Sequence, residues 1–369
     1  MALQFYSNVW FRLKPDATGS YVNGSWTQIA PMNDTRLYFA SVVLTDGRVL
    51  VGGGEYGTGK NSVEIYDPVQ DSWSRVNSWP GGDIGDSTAK VLPDGRVLLL
   101  PRFGGDWIYD PATDVWTAAG FKGNNDEQSV VQLADGNFLV PWDGASQKYI
   151  TALNQWVPAA SPPNGLISSA SEIGPAVLLY DGRVFCLGAN GNTDIYTESA
   201  NPTDPGTFVA GPNIPNGLMC DDAPACVMPN GHVLFVADPG NYGIPSSIFE
   251  YDPVANNYTN VGGSAGDAAY YYRMLMLPSG QVLVNGAFNG IQIYTPVGGP
   301  SSAWKPTITR LALNPDHTFS VTGTQLNGLT EGAYYGDDAQ MSTNFPIIKL
   351  VSGSNVYYLR LQQHGRRHR

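Results

Sequence analysis

A glycine recurs along the chain at intervals of 41 to 49 residues, and nine or ten positions before each one stands an oxygen-bearing side chain. The series runs Tyr38, Asp86, Asp126 with Glu127, Glu172, Asp221 with Asp222, and Tyr270 with Tyr271. If these positions converge, carboxylates from four successive units meet between tyrosines from the other two. Crowded carboxylates raise one another's pKa and need protons or a counter-charge. A divalent cation supplies that charge, and hard oxygen ligands select calcium or magnesium over softer metals. On this reading Asp86, Glu127, Glu172, Asp221 and Asp222 hold a calcium ion that polarises a carbonyl or phosphoryl oxygen. Glu127 or Asp222 then activates water or attacks, and Tyr38, Tyr271 or Arg273 stabilises the developing charge.

Two other readings use the same residues. Asp and Glu in loops commonly cap turns by accepting from backbone amides. A tyrosine-rich acidic face also suits a cationic or hydroxyl-rich ligand, with Arg36 and Arg273 as internal counter-charges. A second loop set would form the walls: Glu55 and Tyr56, Arg102 and Phe103, Trp142 and Asp143, residues 190–192, Asn241 and Tyr242, Phe288 and Asn289. Within it, and beside Arg36 and Tyr270, the ligand-facing candidates are Tyr56, Arg102, Trp142 and Tyr242, a mixture that suits sugars or small aromatic esters. Histidine contributes little. His232 follows a turn glycine where other units carry Arg48, Arg96 and Arg183, a solvent-facing position; His317, His364 and His368 lie near the C-terminus. No phosphate loop or Cys-x-x-Cys pair occurs.

The elements that position these residues are written in a repeat. The glycines are Gly47, Gly95, Gly136, Gly182 and Gly231, each after Asp or Asn, and Gly280 after Ser279. Apolar runs flank each turn, such as Val42, Val43 and Leu44 before the first and Val49, Leu50 and Val51 after it, so each unit opens with a hairpin, expected to turn through type I′ geometry. Tyr66, Tyr109 and Tyr251, each followed by Asp-Pro, close a third strand, and seven residues later Trp73, Trp116 and Tyr258 mark a fourth; Tyr149 and Trp156 repeat the pair, and Tyr196 and Phe208 keep it with an insertion. Four strands per unit at this period describe propeller blades. Six units are visible, the last with three strands. The segment 24–30, with Trp26, is expected to close the ring as a fourth strand, and a seventh partial blade using residues 10–15 is the alternative.

Composition agrees. Forty-three Gly, 27 Pro and 20 Tyr with 14% charged residues suit short strands and tight turns. A net charge of −12 argues against nucleic acid or an anionic membrane as partner. No apolar run is long enough to span a bilayer. No signal peptide is visible, so an extracellular or periplasmic location would require one absent from this sequence. Cys186, Cys220 and Cys226 form no disulfide framework or zinc pattern; buried free thiols are favoured over a Cys220–Cys226 bridge.

These landmarks resemble the kelch-repeat superfamily, specifically its galactose oxidase-like branch, over residues 25–358. The likeness is carried by residues 270–280, by Ile293-Tyr294-Thr295-Pro296 and by Pro306-Thr307-Ile308-Thr309-Arg310. Residues 171–176 and 335–339 look still closer to bacterial kelch proteins without assigned activity. The resemblance implies a propeller over residues 1–300, followed by the opening part of an immunoglobulin-like domain over 301–359 and a tail, 360–369, of foreign composition. Galactose oxidase holds copper with two tyrosines and two histidines, one tyrosine cross-linked to a cysteine. Here Tyr38 and Tyr270 match the tyrosines, but Tyr271 and Gln340 stand where histidines belong, Tyr56 replaces the stacking tryptophan, and no cysteine precedes Tyr38. Copper(II) favours imidazole, so no copper-radical oxidase is expected. The expectation is an all-β monomer whose acidic axial site binds a divalent cation and hydrolyses small esters, lactones or phosphoesters. The rivals are a module binding carbohydrate or protein without catalysis, and a polysaccharide lyase or glycosidase with paired carboxylates.

Overall fold

The computed structural model describes residues 6–101, 104–120, 128–169, 171–287, 290–330, 333–335, 346–359 and 361. Six antiparallel sheets follow one another along the chain. Blade one comprises Ala40–Val43, Val49–Gly52, Val63–Asp67 and Ser72–Arg75; blade two, Ser87–Val91, Val97–Pro101, Trp107–Asp110 and Val115–Ala118; blade three, Val131–Gln132, Phe138–Val140, Gln147–Ile150 and Gln155–Pro158. Blade four comprises Ala176–Leu178, Val184–Leu187, Thr193–Thr197 and Thr207–Ala210; blade five, Pro224–Val227, Val233–Ala237, Ser246–Asp252 and Asn257–Ser264; blade six, Arg273–Met276, Val282–Asn285 and Ile291–Tyr294. Within each blade the strands lie in chain order, the first innermost. Second strands such as Val97–Pro101, Val184–Leu187 and Val233–Ala237 are buried at every residue. A blade is covered on both faces by its neighbours, so these strands read as unbroken apolar runs; the outer strands alternate or face water.

The recurring glycine works differently from the type I′ expectation. In blade one Gly47 N–H donates to Leu44 O and Leu44 N–H to Arg48 O, and Gly47 has φ +84° while Asp46 does not enter the left-handed region. This is a type I turn followed by a left-handed glycine bulge, a three-residue hairpin loop. The same pair of bonds recurs at Leu92, Leu133, Leu179, Met228 and Leu277. Where Asp precedes the glycine, its carboxylate accepts the next amide but one, as Asp46 does from Arg48.

The seven-residue aromatic spacing is a cross-strand pair. Tyr66 lies opposite Trp73, Tyr109 opposite Trp116, Tyr149 opposite Trp156 and Tyr251 opposite Tyr258, with ring centroids 4.9–5.2 Å apart. Each of these first tyrosines donates its hydroxyl to a side chain five residues on: Asp71, Asp114, Asn154 or Asn256, all with φ between +50° and +56°. Asp and Asn tolerate that conformation better than other non-glycine residues. The fourth-strand aromatic then grips the chain entering its own blade. Trp73 Nε1 donates to Ala30 O, Trp116 Nε1 to Asn77 O and Tyr258 Oη to Pro212 O.

Ring closure departs from expectation. Ser25–Ile29 pairs with Trp10–Lys14 instead of adding to blade six, which has three strands among the described residues. This hairpin meets both neighbours through side chains: Trp10 lies against Phe39 and Trp73 of the blade-one side, and Leu13 against the Tyr21, Leu277 and Leu283 cluster of blade six. After residue 300 the expected sandwich is not assembled among the described residues. Thr307–Leu313 pairs with Phe319–Thr324, and Ile348–Ser352 with Asn355–Leu359, as separate two-stranded sheets. One face of the first carries Leu311, Leu313 and Phe319, each more than half exposed, and one face of the second carries Leu350 and Tyr357, about half exposed. Between them Ala333–Tyr335, an element no sequence pattern announced, pairs with the inner strand Pro224–Val227 of blade five, on the axis of the propeller. The three cysteines are buried free thiols.

Two outcomes follow for stability. Asp114→Ala removes the acceptor shared by Tyr109 Oη and Asn77 N–H and places a Cβ-bearing, non-Asx residue at φ +56°, so urea unfolding should show a loss of about 2 kcal/mol. Asp114→Asn, which keeps both features, should stay within about 1 kcal/mol of the parent in the same titration. Replacing exposed Leu311 and Leu313 by Lys should reduce binding of the dye ANS while leaving the melting temperature within about 1 °C.

Candidate functional site

The loops entering the inner strands and those joining second and third strands meet on the face opposite the glycine turns. Asp238, which follows Val233–Ala237, anchors this face although sequence reasoning passed over it. It is fully buried, with Oδ1 accepting from Gly240 N–H and Oδ2 from Ala269 N–H, both at 2.7 Å. The second bond ties blade five to the entry of blade six. Asn241 and Tyr242 are then held in left-handed conformations, φ +50° and +57°. Asn241 N–H donates to Asp221 Oδ2 at 2.8 Å. The Asp-Pro-Gly run at 238–240 was the available signal, but its partner lies 31 residues on and nothing local marks it.

Tyr242, 40% exposed, therefore stands between two blades. Its ring packs edge-on to Tyr270, with centroids 4.8 Å apart, and Tyr270 lies 4.2 Å from Tyr271. Its hydroxyl donates to the Glu172 carboxylate of blade four. Burial, and the charges of Asp222, Glu172 and Asp221, drive the Tyr242 phenol well above its ordinary range. Tyr270 is raised likewise, by burial first, then by Tyr271 and by the neighbouring Tyr38 and Tyr56. Tyr56 is 71% exposed and is raised chiefly by Glu55, with Asp86 of blade two also in range. The face is thus one arc: Asp86, Tyr56, Tyr38, Tyr270, Tyr271, Tyr242, Glu172, Asp221 and Asp222.

Asp221 is the most perturbed carboxylate of the arc. It is 1% exposed, and burial, then the charges of Asp238 and Glu172, push its pKa up to about 6 against the amide bond from Asn241. Its Oδ1 meets no hydrogen-bond partner outside its own residue, and Glu172 Oε2 is likewise buried without one. Asp222, at φ +47°, contributes its charge beside them.

Other expected site residues lie elsewhere. The Arg36 side chain is wholly buried inside blade one. Its guanidinium bonds Glu64 at 2.8 Å, Ser62 Oγ, and the carbonyls of Gly53 and Ser62, while Glu64 also accepts from Asn33 and Asp34. It tethers the incoming chain to the blade and presents nothing to a ligand. Trp142 is 9% exposed and packs with Leu166, Ile173 and Ala176 in the core between blades three and four, because the Ser146 hydroxyl turns the loop inward through Trp142 N–H and O. Arg273, 7% exposed, donates to Tyr270 O and Tyr272 O and sits 5.6 Å above the Tyr38 ring. It holds the tyrosine loop rather than facing outward. Asp86 is 7% exposed. His232, expected in solvent, is about a third exposed; its Nδ1 pairs with Glu250 at 2.6 Å on the opposite face. Glu127 and Arg102, with Asp126, Phe103, Phe288, Asn289 and Gln340, lie outside the described residues.

Among the described residues, no three His, Cys, Asp or Glu side chains form a group able to hold a metal ion. Of the expected calcium ligands, Asp86 lies in range of Tyr56, and Glu172, Asp221 and Asp222 lie in range of Tyr242, while Glu127 is outside the described residues.

A family profile described as the kelch motif matches residues 36–78, which hold the blade-one hairpin and its aromatic pair. The chain is a β-propeller whose first blade matches the kelch motif. Kelch-like protein 36 of Bos taurus is 28% identical over 207 residues, covering 49% of this chain and 31% of that protein. Kelch-like protein 23 of Homo sapiens is 24% identical over 240 residues, covering 64% and 35%. The propeller thus spans about a third of the length of these relatives. Among solved structures, a fungal alcohol oxidase of the AA5 family in complex with copper superposes with a TM-score of 0.64 at 14% identity, over 99% of this chain and 90% of that one. At that identity the likeness shows a galactose oxidase-like fold. Copper itself does not fit the residues of this kelch propeller. Tyr271 stands where an imidazole ligand belongs, and the Arg273 cation lies 5.6 Å from the centroid of the Tyr38 ring.

The shifted Asp221 sets a pH dependence. Its folded pKa of about 6 exceeds the ordinary value of 3.8, so between those values the native state binds more protons than the unfolded chain. Stability is greatest below pH 4 for this group and falls as pH rises through 4 to 6. Asp221→Asn should flatten that slope and raise stability at pH 7 by on the order of 2 kcal/mol, measured by urea titration across pH.

Proposed function

We propose that this kelch propeller is a ligand-binding module whose binding face is the tyrosine and carboxylate arc of blades four, five, six and one. The observation that carries the reading is Tyr242, part-exposed and fixed between Glu172 and Tyr270 by a loop that Asp238 and Asp221 pin down. Rigid aromatic rings beside carboxylates that lack full hydrogen bonding favour a small polar ligand, or a side chain of a protein partner, over an apolar one. Kelch domains commonly bind proteins, and this face is the surface on which such a partner would find anchoring aromatics.

Metal-assisted hydrolysis is a second reading, favoured by the partnerless oxygens of Glu172 and Asp221. A hard cation would take those two oxygens, complete its shell with water and substrate, and polarise an ester or phosphoester oxygen. After residue 300 we read the two hairpins as the opening strands of an immunoglobulin-like sandwich, since each bears an apolar face of the kind such a domain buries.

A thermal-shift screen of sugars, amines, acidic and basic peptides and calcium separates these readings. A ligand that raises the melting temperature of the parent by 2 °C or more, but not that of Tyr242→Ala, supports the binding face. Ligands acting equally on both proteins overturn it. Calcium that stabilises the chelated parent but not Asp221→Asn, with turnover of p-nitrophenyl esters, would replace binding by hydrolysis.

A further inference from the structure

The arc is not evenly supplied with charge. At its tyrosine end, on blades one and six, one cation is already in place: Arg273 lies 5.6 Å from the centroid of Tyr38, its Nη1 bonded to two carbonyls. Next to it, toward blade five, three more rings, Tyr242, Tyr270 and Tyr271, meet at 4.8 and 4.2 Å and at inclinations of 64° and 31°, which makes a corner of aromatic surface. Around that corner the charges reaching Tyr242 are those of Asp222, Glu172 and Asp221, all negative. Asp221 is buried to 1% exposure with one oxygen lacking a partner outside its residue, and Glu172 buries a second such oxygen next to it.

Building on the binding face above, we propose that its ligand carries a substituted ammonium group, seated in the Tyr242, Tyr270 and Tyr271 corner with Glu172 and Asp221 as counter-charges. Aromatic faces attract cations through the ring quadrupole, and weakly hydrated alkylammonium groups lose little on leaving water. A bare divalent ion is served less well, because it needs six or more oxygens and the described residues assemble no group of three ligands. A neutral sugar would leave the buried charges of Asp221 and Glu172 uncompensated. The cation compensates them and offsets the burial, and after it the neighbouring charges, that raise the Asp221 pKa to about 6.

The test is calorimetric titration of the whole chain with choline and with its neutral carbon isostere 3,3-dimethylbutan-1-ol. The expected result is choline binding at least ten-fold tighter than the isostere, and about ten-fold weaker at pH 5 than at pH 7 as Asp221 protonates. Tyr242→Leu and Asp221→Asn should each weaken choline five-fold or more, and Tyr242→Phe, which keeps the ring, should restore most of the affinity. Asp221→Asn is the safeguard against misfolding, since it is expected to stabilise the chain. Equal binding of choline and isostere, or choline binding indifferent to Tyr242→Leu, overturns the ammonium proposal. No choline binding, with a sugar or acidic peptide bound in a Tyr242-dependent way, also overturns it but leaves the binding face standing. Ligands bound without regard to Tyr242 remove both.

Discussion

Blades one, two, three and five each depend on one aromatic pair and the left-handed residue beneath it. The third-strand tyrosine packs on the fourth-strand aromatic, and its hydroxyl reaches an Asp or Asn five residues on that is held at φ near +50°. Because the hydroxyl is satisfied locally, a large aromatic can be buried without leaving a polar atom stranded. The fourth-strand aromatic then bonds the chain that enters the same blade, as Trp73 and Trp116 do. One pair thus fixes strand register, turn geometry and the attachment of a blade to what precedes it. A sheet that is buried on both faces has no solvent side to set its register, so this polar anchoring at its outer edge does so.

The turn face and the loop face of the propeller divide the work. Turn-face glycines adopt a conformation that a side chain resists, and the adjacent carboxylates satisfy the backbone they bend, so that face is committed to folding. The loop face also spends charges on structure: Arg36 with Glu64 in blade one, Asp238 across blades five and six, and Arg273 under the tyrosine loop. What remains is the arc around Tyr242, where a carboxylate pushed to about 6 sits beside part-exposed rings. Instability of that kind is tolerated where a ligand offsets it.

Most of the propeller was legible because its signals are local and repeated. The turn glycines, the apolar runs and the seven-residue aromatic spacing each fall within one hairpin, and each recurs in almost every blade. The turn type was not legible, since Asp-Gly suits both a two-residue loop and a three-residue loop with a glycine bulge; only the bonds at Leu44 and Gly47 distinguish them. The N-terminal strand was found but given the wrong partner, because residues 10–14 form a hairpin with it before either meets blade six. Ala333–Tyr335 was too short to show a period.

From the sequence alone came the blade, its count of six, and the register that brings Tyr38, Glu172, Asp221 and Tyr270 to one end of the axis. It could not say which of the aligned side chains remain available. Arg36 and Trp142 stand in the same loops as the residues of the arc or their counterparts in other blades, yet one is consumed by Glu64 and the other by the core between blades. Register follows from periodicity, which is a property of neighbours in the chain. Availability depends on whether a partner from a distant segment reaches the side chain first, and that contact exists only once the ring has closed.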